Sequence, residues 1–206
     1  MGGNTPHFII MVTSTTANSA VDIASRALIL IGAEPITSFG DGTTESLITS
    51  NLYEDIAQTA LVNARWRFAT NQAVVNLLSD APTGRYDKAY QLPSDTLMVH
   101  GVTVSDSLID YQIYGSMVYA DTNEADSVVV DYTYRASEVD WPSYFSLSVA
   151  YSLAVPLSFS LARDASLGNL MQQQATALMA KARSIDSQQQ TTRKLVTSRF
   201  ITNRRS

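Results

Sequence analysis

Carboxylates are the residues of this chain best supplied for chemistry. Asp106 and Asp110 are close in sequence, and two carboxylates held about 5 Å apart are what a retaining glycosidase needs. Asp121-Thr122-Asn123-Glu124-Ala125-Asp126 opens like a calcium loop. It departs from one twice, with Asp126 where the sharp turn requires Gly and Tyr132 where a bidentate Glu belongs. Gly40-Asp41-Gly42-Thr43 superficially suggests a phosphate loop, yet no Gly-Lys-Ser/Thr follows and no strand leads in, so it reads as a turn. Trp66, Phe68 and Trp141 could line a sugar site, although large aromatics at helix–strand junctions more often secure a core. His7 and His100 are the two histidines, far apart, and there is no cysteine. That leaves almost no material for a zinc site, a serine–histidine triad, a disulfide framework or thiolate chemistry. No catalytic grouping emerges with a specific residue attached, and no cofactor is implied.

The chain has 206 residues, enough for a sizeable core. Apolar residues make up 45% and charged residues 16%, which describes a globular protein light on charge. Ser19 with Asp22 opens a helix as a capping box. Ile23, Ala27, Leu30 and Ile31 form its stripe, Gly32 its left-handed cap, and Pro35 bars continuation. Thr43 and Glu45 start a second helix that runs to about Asn63, with Ile48, Leu52, Ile56 and Ala60 as its apolar row. From Arg67 to Arg135 the pattern predicts five or six short antiparallel strands. Val128, Val130, Tyr132 and Tyr134 alternate there with Val129, Asp131, Thr133 and Arg135, and Tyr114-Gly115-Ser116-Met117 makes a two-residue hairpin turn.

Asp140 as cap and Pro142 in the first turn restart helix. Trp141 to Ala162 is free of charge for 22 residues, the length of a membrane span. Its six serines and Pro156 favour a wholly buried core helix instead, kinked at the proline. A fourth helix from about Ser166 to Ser187 presents Leu167, Met171, Ala175, Leu178 and Ala182. Near the start, Phe8 to Val12 is too short for a secretory signal, and Met11 is an alternative start. The fold expected is α+β, an antiparallel bundle of about four helices with an inserted antiparallel β-sheet domain and an extended C-terminal tail. The divisions are a flexible extension at 1–18, a helical bundle domain at 19–66 and 140–187, an inserted β domain at 67–139 and a basic tail at 188–206.

Charge is unevenly placed. Five of the 14 cations (Arg193, Lys194, Arg199, Arg204 and Arg205) lie in the last 14 residues, where there is no acid. The body is therefore −10 and the tail +5. Asp95 to Asp140 alone holds nine acids against Arg135. A basic tail on an acidic body points to a partner for the tail. The net charge of −5 argues against broad nucleic-acid binding, which needs cations to replace phosphate counterions.

Four short motifs punctuate the chain. They are Ala27-Leu28-x-x-Ile31-Gly32-x-x-Pro35-Ile36, Trp66-x-Phe68-Ala69, Tyr90-x-Leu92-Pro93-x-Asp95 and Trp141-Pro142-x-x-Phe145. Their order and spacing resemble the head-to-tail adaptor proteins of short-tailed bacteriophages, the tail tubular protein A family, from about Ser19 to Asp186. The resemblance implies a non-enzymatic virion protein of the head–tail junction, assembled in the bacterial host cytoplasm. It implies a homo-oligomeric ring of about twelve copies between portal protein and tail nozzle protein, continuing the DNA channel. Genomic DNA would pass through without specific binding, and no membrane is involved. The portal-docking role falls on Arg193, Lys194, Arg199, Arg204 and Arg205, with Phe200 and Ile201 as apolar anchors. Asp106, Asp110, Asp121, Glu124 and Asp126 are candidate channel-facing acids, where repulsion of phosphates would keep DNA from sticking. The chain departs from the family at Ser152, where an arginine often precedes Leu-Ala, at Pro156, and in the extension before Ser19. Two alternatives belong to other classes, a tail-associated glycan-degrading enzyme and a nucleic-acid-binding module using the basic tail.

Overall fold

A computed structural model describes residues 19–79, 84–123 and 126–189. The first helix, α1 (Ala20–Leu30), starts where the capping box requires. Ser19 Oγ accepts from the Asp22 N–H at 3.1 Å and donates to the Asp22 carboxylate at 2.6 Å. It ends in a Schellman motif, with the Ala33 N–H on the Leu28 carbonyl and the Gly32 N–H on the Ile29 carbonyl. Gly32 sits at φ +76°, which a side chain would oppose.

Asp41 organises the turn that follows. Its carboxylate accepts from the Thr37 and Ser38 N–H groups at 2.8 and 3.0 Å, which holds its pKa below the usual carboxylate range. α2 (Thr44–Val62) is capped by Thr43, whose hydroxyl accepts from the Ser46 N–H. Its buried face is Ser46, Thr49, Tyr53, Ala57, Ala60 and Leu61. The expected row of Ile48, Leu52 and Ile56 is only half-buried on the flank of that face. Tyr53 turns inward, where its hydroxyl finds a partly buried acceptor, described below.

Among the described residues eight strands follow rather than five or six. They are β1 (Thr70–Val74), β2 (Asn76–Leu77), β3 (Lys88–Gln91), β4 (Thr96–Val104), β5 (Ser107–Leu108), β6 (Tyr111–Tyr114), β7 (Met117–Ala120) and β8 (Val128–Tyr134). They form two antiparallel four-stranded sheets, in the orders β1-β8-β4-β5 and β2-β3-β7-β6. The count rises because two stretches change sheets midway. Residues 70–77 leave the first sheet at Val75, whose N–H still bonds the Val128 carbonyl, and residues 107–114 leave it after Ile109, bonded to Val102. Each stretch therefore edges both sheets. A shared core lies between the sheets, built on Tyr90, Val102, Val118, Val128, Val130 and Tyr132. The Tyr114–Met117 hairpin turns on Gly115 at φ +60°, as its spacing predicts.

A 3-10 turn (Glu138–Asp140) leads to α3 (Ser143–Ser160), and here the expected cap shifts. Pro142, not Asp140, occupies the cap position. The residue before a proline is pushed to extended backbone, and Trp141 at φ −74°, ψ 125° leaves Asp140 two positions before the cap. α3 continues through Pro156 and packs on α1, α2 and the last helix, α4 (Ala165–Gln188). Its buried Ser148 and Ser158 satisfy themselves by donating to the Phe145 and Ala154 carbonyls. No helix among the described residues is long and apolar enough to cross a membrane. α4 is capped by Asp164, which accepts from the Ser166 and Leu167 N–H groups. It buries Met171, Ala175, Met179 and Ala182, with Met179 in place of the expected Leu178.

Candidate functional site

The seam between helices and sheets gathers the aromatic residues first considered for a sugar site. Phe145, fully buried on the first turn of α3, has three rings around it. Trp66 and Trp141 lie 4.9 Å away edge-on, and Phe68 lies at 4.8 Å. Each indole N–H is used inside the protein, Trp66 donating to the Ala60 carbonyl at 2.8 Å and Trp141 to the Ala136 carbonyl at 3.0 Å. These rings present no open platform. They are the core of the joint.

Arg135, just past β8, closes the same joint with charge. Its guanidinium takes both oxygens of Glu54 on α2, at 2.8 and 2.9 Å, and Glu138 at 2.6 Å. It donates to the Ala136 carbonyl and stacks over Trp141 at 5.4 Å. The bond from Arg135 holds the Glu54 carboxyl below its ordinary pKa, and Glu54 in turn raises that of Arg135. Tyr53 donates to Glu138 at 3.1 Å; burial, then Glu138, push its pKa above the ordinary tyrosine value. One cation thus ties α2, β8 and the approach to α3.

The portal-docking residues named from sequence (Arg193, Lys194, Arg199, Phe200, Ile201, Arg204 and Arg205) lie outside the described residues, as does Glu124. What the structure does describe is the point where that segment begins. Asp186, 4% exposed near the end of α4, accepts from the Arg67 N–H at 3.1 Å and the Tyr144 hydroxyl at 2.9 Å. The Arg67 side chain returns to the Asp186 carbonyl at 3.1 Å. Burial and then the Asp186 carboxylate push the Tyr144 hydroxyl up to about 12. Three elements are bolted together three residues before the last described one, Gln189. Sequence reasoning missed Asp186, yet a signal was present. It continues the apolar row Ala175, Met179, Ala182 at helical spacing, and an acid there is either misplaced or partnered.

The candidate channel acids distribute over the sheet ends. Asp106 sits with Ser105 at the tip of the β4–β5 hairpin, both at positive φ. Asp110 and Asp121 flank the Tyr111–Ala120 pair, so they share one end of the second sheet. Asp121 accepts from the Asp87 N–H at 2.9 Å there, and Asp126 accepts from the Asn123 N–H at 2.9 Å within its loop. Asp106 and Asp110 thus belong to different turns, and Asp126 is engaged in holding its own loop rather than chelating. Among the described residues, no group of three His, Cys, Asp or Glu side chains is placed to hold a metal ion. His100 bonds Thr133 at 2.7 Å, and burial lowers its pKa.

Surface recesses are shallow. One of about 190 Å³ runs beside α4, over Gln172, Thr176, Met179 and Arg183. Another of about 340 Å³, between α2 and Leu97, holds a single carboxylate, Asp55. Neither contains the carboxylate pair that glycan hydrolysis uses.

Compared with known protein families, residues 19–141 match the family described as tail tubular protein. That span covers α1, α2 and both sheets and ends at Trp141 in the aromatic joint. No curated protein matches the chain.

Proposed function

Because this chain belongs to the tail tubular protein family, a structural component of the bacteriophage tail, we propose that it is the head-to-tail adaptor, a homo-oligomeric ring joining the portal to the tail nozzle. The observation that carries this is the polarity of the chain. A −10 body is followed by a +5 segment, which starts just beyond the Asp186 bolt. A segment of interleaved cations and apolar residues suits an acidic groove on the portal. The resemblance of the four motifs to short-tailed phage adaptors supports the same role, in which the nozzle would take the opposite side.

The test is the mass of the purified chain by light scattering, alone and mixed with its cognate portal ring. We expect a monomer or small oligomer that joins the portal in many copies. No association at moderate salt would remove the adaptor role.

On this proposal Asp106, Asp110, Asp121 and Asp126 present negative charge to the passing genome. Neutralising the four to asparagine should leave assembly intact and make DNA retention in the particle salt-dependent. Unchanged ejection at every salt concentration would count against a channel position.

A further inference from the structure

Of the four edge strands, β2 and β5 are two residues long and protected by that shortness, whereas β1 and β6 leave longer edges open. Exposed edge strands offer unpaired N–H and C=O groups, and monomers guard them with lysine, proline, a bulge or a cover. Residues 70–77 provide one edge of each sheet and carry no charge and no proline. Residues 107–114 provide the opposite edge of each sheet, with no proline and one charge, Asp110. Apolar exposure follows the same lines. Among the described residues, six large apolar side chains are exposed in the β region, and five of them sit on these two stretches. Val74, 65% exposed, and Leu77 lie on the first; Leu108, 76% exposed, Ile113 and Tyr114 lie on the second. Met98 is the sixth.

From this placement we propose that a second copy of the chain covers each edge, residues 70–77 of one copy meeting residues 107–114 of the next. Opposite edges of a four-stranded sheet are roughly 14 Å apart, three strand spacings, so the two stretches cannot satisfy each other within one chain. A contact that joins two different surfaces repeats head to tail and closes only as a ring. Edge pairing uses the outward backbone groups of β1 and β6 and buries the exposed apolar side chains in the same step. This inference rests on the ring proposed above and names the surface through which neighbours join.

The experiment uses two full-length variants, Val74→Lys and Ile113→Lys. Both positions are exposed, so far-UV circular dichroism should match wild type. Mass is measured for free chain and for chain added to portal rings, so assembly that needs the portal is still read. Each variant alone should lose lateral assembly, because one of its two edges is blocked. Mixed, they should form 1:1 dimers and stop, since each supplies the edge the other lacks. Leu77→Lys with Leu108→Lys repeats the test at independent positions. Wild-type-like assembly of each variant, or failure of the mixture to dimerise in the setting where wild type assembles, overturns the edge contact and leaves the ring standing. Absence of assembly by wild type in both settings removes the ring as well.

Discussion

A chain lacking Thr192–Ser206 should unfold at the same temperature as the full chain and no longer join the portal ring. Among the described residues α4 closes on itself, with the Gln189 N–H on the Asp186 carbonyl, and the last core contributions are Ala182 and the Asp186 bolt. The deletion removes five cations together with Phe200 and Ile201. Charge-assisted hydrogen bonds contribute about 1.5–3 kcal/mol each, so losing even two of them weakens capture by roughly a hundredfold or more. Capture by the full chain should also weaken as salt rises, because salt screens charge attraction over about 10 Å at 0.1 M. Capture by the truncated chain at wild-type strength would show that docking belongs to the body.

The second large effect is on stability, at Phe145→Ala. This ring is fully buried and touches Trp66, Phe68 and Trp141 at once, so truncation opens a void that none of the three can fill without leaving its place. Phe-to-Ala changes in cores cost about 3–5 kcal/mol. Against a total stability of about 5–15 kcal/mol, and at about 2–4 °C per kcal/mol for a chain of this size, the midpoint should fall by roughly 6–20 °C. Circular dichroism melts of both proteins read this directly. Val139→Ala, at an exposed position of the same region, is the control and should move little. A loss below about 1 kcal/mol at Phe145 would mean that the joint is held by Arg135 and not by its rings.

Local chemistry was legible where it decides the outcome. Ser19, Asp22 and Gly32 mark α1 because capping and a positive φ act within one turn of chain. Gly115 marks its hairpin for the same reason. Legibility fails where a distant partner decides. On α2 the more apolar row of Ile48, Leu52 and Ile56 yields the buried face to Thr49, Tyr53 and Ala57, since Tyr53 reaches Glu138, 85 positions away. On α4 Met179 displaces Leu178, and the Ser148 hydroxyl beneath it belongs to α3. The strand count was short because a chain that turns from one sheet into another looks continuous until its pairing is known. Of the candidate site, the charge of the tail could be read directly, whereas the Asp186 bolt and the two unguarded edges depend on pairing across the fold.

The aromatic joint has a consequence for anyone watching this protein in solution. The chain has two tryptophans, and both rings lie 4.9 Å from Phe145, inside the joint. Tryptophan fluorescence, excited at a wavelength that spares the ten tyrosines, is therefore a single-site reporter. It will register the parting of helices from sheets with little background from elsewhere, and it will stay silent while edges pair. A tryptophan placed at Ile113 would supply the missing optical channel for assembly.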